Sequence, residues 1–261
     1  MQISLKGRKA LVGGGSRGLG KAIAIQLAAS GAEVTIMARN EEKLRSVVAT
    51  LPTPCGQHHN YLVVDFADFE NFKSSITSFL QTHEIDILVN NTNGPSAGGA
   101  LDKNVDDYQQ AFDLLFKTVV FLTMQVVPTM RSKNYGRIIN LASISVKEPL
   151  QNLVLSNSIR SAVATWAKTL SLDVAASGIT VNNILTGYFD TERLNEINGA
   201  QAGNKGITVD EYKEQMKVNI PSRRFGDPAE FGYLVAFLAS ENAAYITGAN
   251  IPIDGGLLKS F

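Results

Sequence analysis

Residues Lys9 to Leu27, KALVGGGSRGLGKAIAIQL, run from a short apolar strand through five glycines in eight residues straight into an alanine-rich amphipathic helix. Gly13, Gly14, Gly15, Gly18 and Gly20 remove side chains where the backbone must bend sharply and come close to a ligand. The free N–H groups that open the helix then point at a phosphate. Gly13-x-Gly15-x-x-Gly18 on its own also occurs in unrelated loops, so its setting carries the inference. The turn follows a strand, opens a helix and precedes a second strand at Glu33, as a mononucleotide-binding βαβ unit requires. A nucleotide cofactor is therefore expected.

The rest of the chain repeats the same alternation. Apolar, β-rich runs recur at Lys9–Gly13, Glu33–Ala38, Tyr61–Val64, Ile85–Asn90, Arg137–Leu141, Ile179–Ile184 and Asn250–Ile253, with helix-period segments between most of them. Continuous apolar runs such as DILVN and RIINLAS suit strands covered on both faces. The expectation is an α/β fold: one Rossmann-type, doubly wound parallel sheet of about seven strands with helices on both faces. At 261 residues and 44% apolar the chain suits one dinucleotide-binding domain over 1–261, with the ligand beyond the strand C-termini.

Two long helices are predicted, Asp107–Ser132 and Asn152–Ser177. Val163, Trp166, Leu170 and Val174 form an apolar stripe on the second, which packs within the subunit or against another copy; a dimer or tetramer is expected. Between Thr191 and Pro221 the sequence turns polar and glycine-punctuated. It reads as a helical flap over the ligand cleft at about 191–221, or as a solvated excursion.

Composition narrows the function classes. Twenty-four basic and 24 acidic residues leave no net charge, so neither nucleic acid nor an anionic membrane is an expected partner, and a small-molecule substrate is. The single cysteine, Cys55, sits in a Pro/Gly-punctuated loop and cannot build an internal disulfide; no metal is expected. MQISLKGRKA holds no long apolar stretch, and the apolar run Phe112–Val127 is interrupted by Asp113 and Lys117. A cytoplasmic protein is the expectation.

Several separated segments together resemble the short-chain dehydrogenase/reductase family, over Lys6 to Leu257. The family's Thr-Gly-x-x-x-Gly-x-Gly turn stands here as Gly13-Gly14-Gly15-Ser16-Arg17-Gly18-Leu19-Gly20, with Gly13 in the threonine position. Asp65, in VVDFAD, matches its adenine-contacting acid, and Asn90-Asn91 opens its NNxG-like turn. Thr186-Gly187 matches its Pro-Gly segment without the proline, and Thr247-Gly248 and Asp254-Gly255-Gly256 match its C-terminal turns. The resemblance implies a nicotinamide dinucleotide held by Gly14, Ser16, Arg17, Gly18, Leu19, Gly20, Arg39, Asp65, Phe66, Asn91, Arg160, Thr186 and Gly187. Charge argues which one. The second strand ends in Ala38-Arg39-Asn40 rather than in the carboxylate that accepts from a ribose 2′-OH. Arg39, with Arg17 in the turn, favours the 2′-phosphate of NADP(H) over NAD(H); the alternative is that Arg39 only lies along the surface.

The catalytic pattern of the family breaks. Ser143, in IINLAS, fits the serine that orients the carbonyl. Thirteen residues on, Ser156 stands where the family has its proton-donating tyrosine. Four further, Arg160 replaces the lysine, and Leu115 holds the supporting asparagine position. Ser156 and Arg160 lie one helical turn apart and share a face. An aliphatic hydroxyl is a far weaker acid than a phenol, whose pKa starts near ~10. Losing a positioned general acid removes about 10²–10⁴ in rate, roughly 3–5 kcal/mol of barrier. Replacement donors are a water held by Ser143 and Ser156, Tyr188, or more weakly Lys147 or Glu148. The overall pattern is most similar to bacterial 3-oxoacyl-acyl-carrier-protein reductases. Two readings follow: an NADP(H)-dependent oxidoreductase with a non-standard proton donor, or a catalytically silent dinucleotide-binding protein.

Overall fold

The computed structural model describes residues 3–260. Strands β1 (Lys9–Gly13), β2 (Glu33–Ala38), β3 (Asn60–Val63), β4 (Ile87–Asn90), β5 (Gly136–Leu141), β6 (Ile179–Thr186) and β7 (Asn250–Ile253) form one sheet in the order β3-β2-β1-β4-β5-β6-β7. Every neighbouring pair is parallel. β6 runs two residues beyond its expected end at Ile184 because β7 pairs along it, Thr186 opposite Ile253.

Alternation along each strand divides the apolar residues between two cores. Val12, Val89 and Ile139 face one layer and are covered by Ile23 and Leu27 of α1 (Gly18–Ala29), Leu44 of α2 (Glu41–Val48) and, further along the chain, Phe231 and Val235. Their chain neighbours Leu11, Leu88 and Ile138 face the other layer, together with Phe72 and Ile76 of α3 (Phe69–Leu80). Each such side chain taken fully out of water contributes about 1.5–3 kcal/mol before entropy is counted.

The first long helix is continuous from Val105 to Ser132 but not uniform: α4 (Val105–Phe112) passes through a π-helical turn at Asp113–Lys117 into α5 (Thr118–Ser132). It is long and apolar enough to cross a membrane by length and composition, yet α5 lays Leu122, Val126, Val127 and Met130 into the second core. The second long helix, α6 (Val154–Val174), buries Val163, Leu170 and Val174, with Trp166 partly buried, so the stripe packs within the subunit. The 191–221 segment forms α7 (Glu192–Lys205) and α8 (Val209–Val218), each started by a threonine cap, and α9 (Pro228–Ala239) carries Phe231 and Val235 back to the first core.

Strand order reverses between β1 and β4. Open α/β sheets bind ligands in the crevice beyond the strand ends at such a point, and the glycine turn leaves β1 there.

Candidate active site

The turn is shaped by close approach. Gly14 has φ +60°, and a Cβ on it would lie 2.6 Å from Asn91 Nδ2. A Cβ on Gly20 would lie 2.2 Å from the Gly14 carbonyl oxygen, so no larger residue lets α1 start where it does. Two bonds fix the turn to its neighbours: Asn91 Nδ2 donates to the Gly13 carbonyl at 3.0 Å, and the Gly15 amide to the Met37 carbonyl at 3.1 Å. The opening amides of α1, from Gly18, Leu19 and Gly20, have no carbonyl a turn earlier to bond, and with Ser16 they rim the crevice. A phosphate fits this cradle.

Beside it, Arg39 follows β2 and is largely exposed, its Nη1 3.9 Å from Asp65 Oδ2. Asp65 accepts from the Ala67 amide at 3.0 Å, and the Phe66 ring turns into the second core against Phe72, centroids 5.3 Å apart. Arg17 differs from the expectation of a free second cation. Its Nη1 donates to Glu196 Oε1 of α7 at 2.7 Å, and Arg193 also reaches Glu196, at 3.3 Å. These two guanidinium groups hold the Glu196 carboxyl below the usual carboxylate range, the hydrogen bond from Arg17 acting most. Thr191, which caps α7, stands over Gly18, so α7 rests on the phosphate cradle.

The reacting end lies beyond β5 and β6. Ser143 leaves the end of β5 in extended conformation, and its Oγ accepts from the Ser145 amide at 3.1 Å, leaving its own proton free to donate outward. On the facing turn of α6, Arg160 Nε donates to Ser156 Oγ at 3.2 Å and Arg160 Nη1 to the Leu141 carbonyl at 2.5 Å. Dense packing around the guanidinium pushes it down to about 10, still charged at neutral pH. Arg160 shares a gap of about 10 Å³ with Leu115, Val163, Asn90 and Asn140, at the lower limit for one water; neither Ser143 nor Ser156 walls it. Leu115 is buried in the π turn against Leu155 and Ile159, where it offers no polar group.

The other candidate donors have different surroundings. Tyr188 lines a separate cavity of about 150 Å³ with Phe189, Arg224, Glu230 and Asp254, and burial, with Tyr212 adding, raises its phenol above the ordinary value. That makes it a weaker acid. Glu148 accepts from the Ser260 amide at 2.6 Å and the Lys259 amide at 2.8 Å, so it ties down the C-terminal segment. Lys147 is exposed. Gly187 is pressed against Asp254, its amide bonded to the Ile253 carbonyl at 3.0 Å, while the buried Thr186 hydroxyl has no partner among the described residues.

One feature was not anticipated from the sequence. Asn90, Asn140, Asn183 and Asn250 occupy matched positions on β4 to β7 and pass side-chain amide bonds of 2.8, 2.9 and 2.8 Å across the sheet, with Asn90 also donating to Thr123 at 3.1 Å. The ladder ties β4 to β7 together. Its only sequence signal is an asparagine in each of these strands: the last residue of β4, the fifth of six in β5, the fifth of eight in β6 and the first of β7.

Fold and site define a nicotinamide-dinucleotide-binding α/β protein, and comparison with known proteins agrees. The family model described as Enoyl-(Acyl carrier protein) reductase matches residues 14–258. The 3-oxoacyl-[acyl-carrier-protein] reductase FabG of Rickettsia prowazekii is 32% identical over 98% of this chain and 99% of its own. The NADPH-dependent reductase BacG of Bacillus subtilis is 31% identical over 97% and 98%. The crystal structure of L-sorbose reductase from Gluconobacter frateurii, complexed with NADPH and L-sorbose, superposes with TM-score 0.93 at 30% identity over the whole of both chains. The chain belongs to the short-chain dehydrogenase/reductase family.

Proposed function

We propose that this protein is an NADP(H)-dependent oxidoreductase that interconverts a small carbonyl compound and its alcohol, with serine hydroxyls in place of the family tyrosine. The observation that carries this reading is the pair of hydroxyls at the reacting end. Ser143 and Ser156 each accept from an N–H donor, Ser145 and Arg160 respectively, which leaves their own protons for a substrate oxygen.

When bound, the reduced nicotinamide supplies a hydride. The chain's own residues do the rest: the glycine turn and the first amides of α1 hold the diphosphate, and Arg39 with Arg17 favours a 2′-phosphate. Ser143 orients the carbonyl, and Ser143 and Ser156 hold its oxygen as negative charge develops there. The proton comes ultimately from solvent. Positioning and the cofactor's chemistry supply much of the acceleration that a lost phenol does not. The NADPH named for BacG and for L-sorbose reductase supports the cofactor preference.

A small molecule suits the site better than an acidic carrier protein. Arg224 is closed on Glu230 by two bonds of 2.7 and 2.6 Å, and Arg223 is bonded to the Val218 carbonyl. Self-association and a cytoplasmic setting belong to the same reading. The rival is a silent dinucleotide-binding protein, favoured by Leu115, which removes the polar group of the family asparagine.

Stopped-flow absorbance of NADPH, mixed with enzyme and a panel of ketoses, 3-oxoacyl thioesters and α,β-unsaturated carbonyls, separates the two. Oxidation of NADPH with at least one acceptor is expected. Tight NADPH binding with no oxidation across the panel would establish the silent reading.

A further inference from the structure

We propose that Arg160 is a positioning residue that acts through Ser156, aiming the Ser156 proton at the substrate oxygen, rather than a direct replacement for a cofactor-binding lysine. The inference rests on the reductase reading and concerns how its proton is delivered.

The guanidinium is used in two directions. Nη1 is anchored on the Leu141 carbonyl, two residues before Ser143 on β5, and Nε meets Ser156 on α6. One side chain thus ties the helix turn bearing Ser156 to the strand end bearing Ser143. Arginine has five N–H donors and no acceptor, so Ser156 cannot give its proton back to Arg160. With one lone pair of Oγ taken by Nε–H, the hydroxyl proton has to turn elsewhere.

Other hydroxyls on α6 show where it would ordinarily go. Ser161, Thr165 and Thr169 donate to the carbonyls of Asn157, Ser161 and Thr165, one turn back, at 2.8, 3.1 and 3.3 Å. Ser156 makes no such bond among the described residues; the carbonyl one turn back, that of Asn152, accepts from the Gly98 amide at 2.7 Å. The pull of a charged donor also makes Ser156 a better hydrogen-bond donor than a serine bonded to backbone. Arg160 carries no carboxylate partner among the described residues, so its charge is not cancelled locally.

The step balances as follows. As hydride reaches the carbonyl carbon, the C=O π pair moves onto oxygen. That oxygen takes the Ser156 proton, and solvent water re-protonates Ser156, so one solvent proton is consumed for each alcohol formed.

The test is a double-mutant cycle read two ways: kcat for the best acceptor of the panel, and the NADPH dissociation constant from nucleotide fluorescence, which needs no turnover. Ser156→Ala and Arg160→Gln should each lower kcat about 100-fold or more. The double variant should be no worse than either alone, because the two act as a unit. NADPH affinity should stay within about 3-fold throughout, and Arg160→Lys, which keeps a charged donor on this face, should recover part of the loss. Losses that multiply in the double variant overturn the proposal. So does an NADPH affinity that falls with kcat at Arg160 but not at Ser156, since that marks a cofactor clamp. If Arg160→Gln does not fold, the cycle of Ser156→Ala with Arg160→Lys applies the same criterion. No turnover by the unaltered enzyme sinks the reductase reading and this inference with it; turnover that Ser156→Ala leaves intact sinks this inference alone.

Discussion

The two ends of the cleft have followed different rules. At the β1 end, what matters is where the backbone goes, and every glycine needed to bring amides up to a phosphate is in place. At the β5 end, what matters is which functional group stands at each position. On the proposed reading the family's four catalytic places are taken there by Ser143, Ser156, Arg160 and Leu115, of which Ser143 alone keeps the family residue. A phosphate cradle is built from main chain and a few absent side chains, whereas proton delivery depends on pKa and reach. The cradle can therefore persist while the chemistry beside it is rewritten, and neither end predicts the state of the other.

The hardest blow to this contrast is a change that destroys binding through shape alone. Gly20→Val places a branched side chain on a Cβ already 2.2 Å from the Gly14 carbonyl, so the turn and α1 must separate. NADPH affinity measured by fluorescence should fall by at least ~100-fold, well beyond what loss of one hydrogen bond removes. Retained affinity would mean that the amides of this turn do not hold the diphosphate.

Next comes Ser143→Ala, which should leave that same affinity within ~3-fold and lower kcat by about 10²–10³, the range for removing one donor to a developing oxyanion. A drop in cofactor affinity of matching size would erase the separation between the two ends.

What could be read from sequence follows the same division. The strands and the glycine turn were legible because their signals are local: apolar runs, and glycines between a strand and a helix. The bounds of β1, β2 and β7 agree residue for residue. The departures expected at positions 115, 156 and 160 rest on spacing along the chain alone. Contacts that depend on tertiary register were not. Arg17 lies 179 residues from Glu196, and Glu148 lies 112 from Ser260. The bonds of the asparagine ladder span 50, 43 and 67 residues and exist only once β4 to β7 are aligned. Tyr188 illustrates the same limit: the turn after β6 sets it in a cavity with Phe189, Arg224, Glu230 and Asp254, a grouping that exists only in the folded chain.

Arg39→Ala gives a smaller effect that sharpens the binding side. Its guanidinium is exposed, so its attraction for a 2′-phosphate is screened, and NADPH affinity should fall about 10-fold at low salt with NADH affinity unchanged. Equal losses for both nucleotides would assign Arg39 to some task other than 2′-phosphate recognition.

The smallest effect tests the contact between the cradle and α7. Glu196 holds Arg17 through an exposed ion pair, and solvent screens such pairs so that they contribute little. Glu196→Gln frees Arg17 for the cofactor and should tighten NADPH binding by no more than ~3-fold. The sign with pH follows from the lowered carboxyl of Glu196. Above the usual carboxylate range the pair is fully formed and restrains Arg17. As pH falls through the lower value that Glu196 has in the folded protein, the carboxyl is protonated and Arg17 is released without any substitution. The gain from Glu196→Gln should therefore be present at neutral pH and shrink toward none in acid, as titrations at fixed ionic strength would reveal. A gain that persists unchanged below that range would mean that Arg17 is restrained by something other than the charge of Glu196, and that α7 leans on the cradle for reasons of packing alone.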